Sequence, residues 1–346
     1  MAEDAYYHGD RLRSMKDING KDPELFLCTT NRSAGKTTDF AKFLVNNFIN
    51  YGRKFMLLYR YKYELDDIAG SFFKGVQELF FSDYEMTSII KKKGVYHELF
   101  LNHTPCGYAV ALNCAEQVKK LSHLFADTWA MFMDEFQSEN NNYCSGEIKK
   151  FISIHTSVAR GGGKQVRYVP VYMCANAVTL LNPYYVALGI CDRLKADTKF
   201  LRGDGFVLEH GFNEAASMAQ STSAFNRAFA SSQYVAYASQ NVYLNDNKTF
   251  IEKVQGKNTY LATLRFQGNN YALKQYSDTG IIYCDNVADT TYPLKISVTT
   301  DDMSINYVML KTYDFFLKNM RWYFDRGAFR FKNLQAKQAV LAALSY

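Results

Sequence analysis

Thr30-Asn31-Arg32-Ser33-Ala34-Gly35-Lys36-Thr37 follows the apolar run Leu25-Phe26-Leu27-Cys28 and opens a stretch, Thr38 to Phe48, with the periodicity of a helix. Strand, loop and helix in that order are what a phosphate-binding loop requires. Backbone N–H groups of such a loop point at the β- and γ-phosphates, and the positive end of the following helix adds to them. In that reading Thr30 to Thr38 cradle a nucleotide, Lys36 reaches the β/γ oxygens, and the Thr37 hydroxyl ligates magnesium. The pattern departs from G-x-x-x-x-G-K-[ST] at its first position, where Thr30 stands for glycine. A bare Gly-Lys-Ser/Thr arises by chance in roughly one chain in six of this size, so the rest of the sequence has to decide.

Well downstream, Trp129-Ala130-Met131-Phe132-Met133 reads as a short buried strand that ends in Asp134-Glu135. Hydrolysis of a γ-phosphate needs one carboxylate to hold magnesium or its water and a second group to orient the attacking water. Asp134 suits the first role and Glu135 the second. An isolated Asp-Glu would be a strand cap. Coupled to Gly35-Lys36-Thr37, it completes a magnesium-dependent NTPase site. A catalytic glutamate beside the magnesium aspartate belongs to ring and helicase-like motors, which commonly use an arginine against transition-state charge. Arg160, entering the run Gly161-Gly162-Gly163, and Arg32, inside the loop, are the candidates, and a plain surface charge explains either equally well. Asn176 ends the next strand, Tyr168 to Cys174, where it could sense the γ-phosphate or hold Glu135 idle; a turn residue is the simpler alternative.

The 346 residues allow two domains, and 48% hydrophobic with 21% charged residues excludes a disordered chain. No apolar run reaches membrane-spanning length, and the first residues lack the apolar core of a secretion signal. Seven scattered cysteines without a C-x-x-C pair suit reduced thiols in a cytoplasm, with neither disulfides nor zinc. The net charge is +6, concentrated between Lys311 and Lys337, which suits a polyanion partner or a solvated helix face.

The first half alternates strand and helix patterns. Lys54 to Tyr59 reads as a buried parallel strand, residues 84–112 as an inserted hairpin turning at Lys91-Lys92-Lys93-Gly94, and Gly146 to Ala159 as a helix. Residues 212–240, rich in Ala, Ser and Gln, read as helical. Phe250 to Ile305 read as β-hairpins, followed by helices near 306–326 and 333–344.

These residues carry a family resemblance. Tyr51-Gly52, Tyr59 to Leu65, Phe132-Met133-Asp134-Glu135-Phe136, Ala175-Asn176-Ala177-Val178, Asn182-Pro183-Tyr184, Phe250 to Lys253 and Thr299 to Asp302 span nearly the whole chain. In them the chain resembles the DNA-packaging motor ATPases of small podophages with protein-primed linear genomes, typified by the Bacillus phage packaging motor. The resemblance implies an α/β, additional-strand P-loop ATPase domain over 1–198, a helical linker over 199–241, and an α+β, RNase H-like vestigial nuclease domain over 242–346. It implies a homomeric ring, a pentamer, that uses ATP and Mg2+ to thread double-stranded DNA into a procapsid. The motor would work in the host cytoplasm, transiently docked on the portal protein, with a structural packaging RNA as a further partner at residues 311–337. By position Arg160 matches the trans-acting arginine finger and Lys120 a second trans-acting basic residue, while Asn176 and Arg60 fall where glutamate-switch residues stand.

Two departures stand out. Thr30 and Ser33 replace glycines of the family's loop, and the family's basic DNA-contacting loop corresponds here to Gln137–Tyr143, without Lys or Arg. Grip on DNA then falls to Asn140, Asn141 and Asn142, or moves to Lys91, Lys92 and Lys93 or to the C-terminal domain. Two alternatives stay open: a terminase with an active nuclease built on Asp278, Asp285, Asp301 and Asp302, and a helicase-like translocase that does not package.

Overall fold

In the computed structural model, the described residues are 6–67, 72–161, 163–191, 193–194, 198–240, 246, 249–311 and 314–344. The chain divides into two compact units between Asn245 and Asp246; the boundary expected at 241/242 lies outside the described residues. The first unit runs α1 (Asp10–Ser14), β1 (Leu25–Thr30), α2 (Lys36–Tyr51), β2 (Lys54–Tyr59), α3 (Lys74–Phe80), β3 (Met86–Lys91), β4 (Tyr96–Leu101), β5 (Thr104–Ala111) and α4 (Ala115–Lys120). It continues with β6 (Thr128–Asp134), α5 (Glu147–Val158), β7 (Val171–Asn176), α6 (Pro183–Ala187), β8 (Phe200–Gly203), β9 (Phe206–His210), α7 (Glu214–Thr222), α8 (Ala224–Ala228) and α9 (Gln233–Gln240).

One sheet carries the strands in the order β3-β4-β5-β2-β6-β7-β1-β9-β8. Strands β5, β2, β6, β7, β1 and β9 are mutually parallel; β8 opposes them at one edge, and at the other β4 runs antiparallel between β5 and the edge strand β3. Strand β7 lies between β1, which leads into the loop, and β6, which ends at Asp134. This is the additional strand that the family resemblance implies. Parallel order places the C-terminal ends of β1, β6 and β7 together at one edge of the sheet, where ligands of open α/β sheets bind.

Two local expectations are corrected. The inserted hairpin is β3–β4 alone, and β5 belongs to the parallel core. Gly107 permits this, since a Cβ there would fall 2.2 Å from the Phe55 carbonyl oxygen of β2. The first part of the expected helical linker is instead the β8–β9 hairpin, whose β9 pairs in register with β1 from Leu25 to Thr29. Phe206, Val207 and Leu208 are buried there, so the sheet continues past residue 198.

Helix α2 buries Phe40, Ala41, Leu44 and Val45, a one-sided pattern of helical period. The Phe40 ring packs 5.7 Å from Phe132 of β6 and 5.8 Å from Tyr172 of β7. Burial of each large apolar side chain contributes about 1.5–3 kcal/mol, and Gly52, at φ +66°, ends the helix with a left-handed turn. The packing fixes the helix N-terminus, and with it Lys36 and Thr37, over the ends of the strands.

The second unit contains β10 (Thr259–Phe266), β11 (Asn269–Tyr276), β12 (Ile281–Asp285), β13 (Lys295–Ser297), α10 (Phe315–Asp325), β14 (Phe329–Phe331) and α11 (Leu334–Leu344). A β10–β11–β12 meander carries β13 beside β10 and β14 beside β12, both parallel. The helix expected from 306 starts only at Phe315, because Tyr307 and Val308 form β-bridges and Asp314 caps the helix by accepting the Phe316 N–H at 2.8 Å. Two of the four acids considered for a nuclease serve the fold. Asp285 pairs with Lys274 at 2.8 Å, and Asp302 accepts the Gln267 and Gly268 N–H groups and the Thr299 hydroxyl. Asp278 and Asp301 are exposed. The basic segment is not one run: Arg330 pairs with Glu252, whereas Lys318, Arg321 and Arg326 are exposed, Arg326 lying 3.9 Å over the Trp322 ring.

Candidate functional site

The loop between β1 and α2 turns through two left-handed residues, Ser33 at φ +61° and Gly35 at φ +89°. Only the second is glycine, so Ser33 carries a strain of about 1–2 kcal/mol. It is held in place by the Gln220 amide, which donates to its hydroxyl at 2.9 Å. Thr30, in the place of the first glycine, ends β1, and its hydroxyl accepts from the Lys36 ammonium at 2.9 Å. Lys36 also donates to the Asn31 carbonyl and to Asn176 Oδ1, each at 3.1 Å. Asn176 is the register partner of Thr30, so the sheet itself delivers that contact. The ammonium is thus folded back on three neutral oxygens, an arrangement that a phosphate's charge would outcompete.

Asp134 ends β6. Its Oδ1 accepts the Glu135 N–H at 2.9 Å and the Cys174 thiol at 3.0 Å. Burial pushes the Cys174 thiol up and keeps it a donor. Oδ2 has no hydrogen bond among the described residues, which leaves a hard oxygen free beside Thr37, a donor set that fits a magnesium ion completed by phosphate and water. Glu135 is held at φ +52°, in the left-handed region. Its carboxyl is raised above the ordinary carboxylate range, first by desolvation, then by the negative charges of Asp134 and Glu139; Arg32 and Arg60 pull the other way. Tyr6, Lys36, Thr37, Asp134, Glu135 and Asn176 line one cavity of about 380 Å³.

The remaining candidates divide. Arg60 is buried beside a cavity that Thr37, Asp134 and Glu135 also line: its Nε meets both carboxylate oxygens of Glu147 at 3.0 and 3.1 Å, and Nη2 donates to the Phe136 carbonyl at 3.0 Å and the Glu135 carbonyl at 3.4 Å. Glu147, which the sequence did not single out, also accepts from the Tyr184 hydroxyl and the Cys144 N–H, both at 2.9 Å. The pair ties down the backbone that follows the strained Glu135, and removing one partner of such a buried pair typically costs about 3–5 kcal/mol. Arg32 lines the same cavity as Lys36 and Asn176, with its guanidinium engaged at the margin. It pairs with Glu139 at 3.1 Å and donates to the Tyr234 hydroxyl of α9. Tyr237, one helical turn on, donates to Glu139 at 2.8 Å and meets the Asn176 side chain. A continuous polar chain therefore links Lys36, Asn176, Tyr237, Glu139 and Arg32.

Arg160 follows α5 at the other end of the sheet. Its neighbour Gly161 lies against Ala126, just before the start of β6, and Arg167 donates to the Thr128 carbonyl. The length of β6 thus separates Arg160 from Asp134 by roughly 20 Å. Arg160 and Lys120 are both exposed, with no ion pair among the described residues, and α4, which Lys120 ends, packs on α5. Neither reaches the cavity of its own chain.

The two groups considered for DNA are brought near each other. Tyr61 donates to Asn142 Oδ1 at 2.9 Å, and the adjacent Lys62 donates to the Lys93 carbonyl at 2.8 Å. Asn140, Asn141, Asn142, Lys92 and Lys93 are exposed, and Lys91 pairs with Glu98 at 3.2 Å. The Tyr61 and Tyr63 rings stack between them, 5.6 Å apart. This face lies at the same edge of the sheet as the cavity.

The DNA packaging protein of Bacillus phage phi29 is 24% identical over 306 residues, covering 87% of each chain. Among solved structures, the viral genome packaging motor assembly of bacteriophage Phi-29 superposes with a TM-score of 0.70 at 22% identity, covering 99% of this chain and 98% of that one. The Phi-28 gp11 DNA packaging motor superposes with a TM-score of 0.62 at 14% identity, covering 99% of both. A model of the podovirus DNA encapsidation protein (Gp16) matches residues 1–343, and the chain belongs to that family of phage genome-packaging proteins.

Proposed function

We propose that this chain is the ATP-hydrolysing subunit of a homomeric ring that drives double-stranded DNA into a procapsid. The observation that carries the reading is the convergence of Lys36, Thr37, Asp134 and Glu135 on one cavity over the strand ends. Thr37 and the free oxygen of Asp134 would hold Mg2+, which when bound neutralises charge on the β- and γ-oxygens. Lys36 leaves Thr30 and Asn176 for the phosphates, and Glu135 orients water for in-line attack. Asn176, released by Lys36 but still in contact with Tyr237, is placed to report the nucleotide to α9. With Arg160 and Lys120 on the opposite side, the neighbour in the ring supplies the missing positive charge. Dividing one site between two copies calls for a head-to-tail contact, the kind that closes into a ring, and a pentamer is the size that the family resemblance implies.

The face bearing Lys62, Lys92, Lys93 and Asn140 to Asn142 suits contact with DNA phosphates, which a motor that ignores sequence must favour. Replacing Lys92 and Lys93 together with Ala should lower double-stranded DNA affinity and reduce the slope of log K against log salt by about 2. Nucleotide binding should be unchanged. An unchanged slope would remove this face from the DNA path. The exposed Lys318, Arg321 and Arg326 of the second unit suit docking at the portal vertex, on portal protein or a packaging RNA. Charge reversal at Arg321 and Arg326 should abolish procapsid binding while sparing basal ATP hydrolysis, and procapsid binding at the wild-type level would exclude that docking role.

A further inference from the structure

Tyr6 is the one aromatic residue among those that line the phosphate-loop cavity, and it is 51% exposed. Its ring lies against Gly35, where an added Cβ would meet Tyr6 Cδ1 at 3.1 Å. Among the described residues it makes no hydrogen bond and stacks on no other ring. The backbone beneath it is pinned. The Tyr7 N–H donates to the Ala34 carbonyl at 2.7 Å, the buried Tyr7 hydroxyl donates to Glu209 at 2.7 Å, and the Gly9 N–H donates to Asp39 of α2 at 3.1 Å. Asp39 is held in turn by Arg13 at 2.6 Å. An exposed ring without a partner is therefore carried on a segment laced to the outer side of the loop.

Asp134 and Glu135 fix which end of the cavity receives the γ-phosphate. The base must leave in the other direction, past Gly35 and Thr38, which is the side Tyr6 occupies. We infer that Tyr6 is the base-stacking residue of the nucleotide site, so that the N-terminal segment forms one wall of it. Stacking on an aromatic face is tolerant of base identity, because every base presents a π-face. Tyr6 thus supplies affinity and orientation with little discrimination between adenine and guanine.

The inference rests on the nucleotide reading above, and one set of competition measurements separates the two. With the full-length chain, Tyr6→Ala should weaken ATP and ADP binding by about tenfold, while inorganic tripolyphosphate competes as well as it does against wild type. Tyr6→Phe, which keeps the ring, should retain wild-type affinity for all three. Unchanged ATP affinity in Tyr6→Ala would overturn the inference. So would an equal loss for tripolyphosphate, which would mean that Tyr6 shapes the phosphate loop instead. If neither ATP nor tripolyphosphate binds the wild-type chain, the nucleotide reading itself fails and this inference with it.

Discussion

Glu135→Gln should stop ATP hydrolysis while leaving ATP bound. The substitution keeps the size and hydrogen-bonding span of the side chain but removes the charge that draws a proton from the attacking water. Loss of a positioned general base costs about 10²–10⁴ in rate, so turnover should fall on the order of a thousandfold with nucleotide affinity unchanged or higher. The acid limb of kcat/KM, which reports the free enzyme, should also lie at a pH above that expected of a free glutamate, because desolvation and the neighbouring Asp134 and Glu139 raise this carboxyl. As pH drops through that raised value, Glu135 takes up a proton and its ability to accept one is lost. Steady-state turnover and equilibrium binding, measured across pH on wild type and variant, check both statements. A variant that hydrolyses at the wild-type rate would transfer the role away from Glu135.

Arg160→Ala should be nearly as damaging, for a different reason. An arginine that stabilises transition-state charge in phosphoryl transfer is worth about 10³–10⁵ in rate. Arg160 cannot give that help to its own Asp134–Glu135, since the full length of β6 stands between them. Each of Arg160→Ala and Glu135→Gln should therefore be inactive alone, and a mixture of the two should recover activity. In mixed rings the Arg160→Ala copy contributes an intact Glu135, and its Glu135→Gln neighbour contributes the arginine. No recovery at any mixing ratio, in rings shown to exchange subunits, would remove Arg160 from the neighbour's site.

The sequence made the candidate site legible because its motifs are local. Gly35-Lys36-Thr37 and Asp134-Glu135 each sit where a strand stops, and a buried strand is readable from its apolar run. What it concealed depends on contacts between distant segments. Glu147 opens α5, where an acid ordinarily complements the helix dipole in solvent, and nothing near it in sequence announces a buried pair with Arg60. The same pairing lets Arg60, which the resemblance set among the glutamate-switch residues, brace the Glu135 backbone. Arg32 reads as a cation inside the loop, and nothing near it in sequence announces its engagement by Glu139 and Tyr234. Tyr6 carries no motif at all. Strand β8 is short and only partly buried, and the apolar run of β9 is only the three residues Phe206 to Leu208; β9 joins the sheet by pairing with β1, and β8 by pairing with β9. Thr30 was legible only as a missing glycine, and its use became clear from the Lys36 contact.

DNA packaging itself provides the most direct measurement. Procapsids, double-stranded DNA and ATP are combined with wild-type or Glu135→Gln protein, and the DNA that becomes protected from nuclease is quantified alongside released phosphate. Wild type should protect DNA in proportion to ATP hydrolysed. Glu135→Gln should bind ATP and DNA, release no phosphate above background, and protect none. Protected DNA accumulating with Glu135→Gln, or with wild type in the absence of hydrolysis, would contradict the claim that this cavity powers packaging.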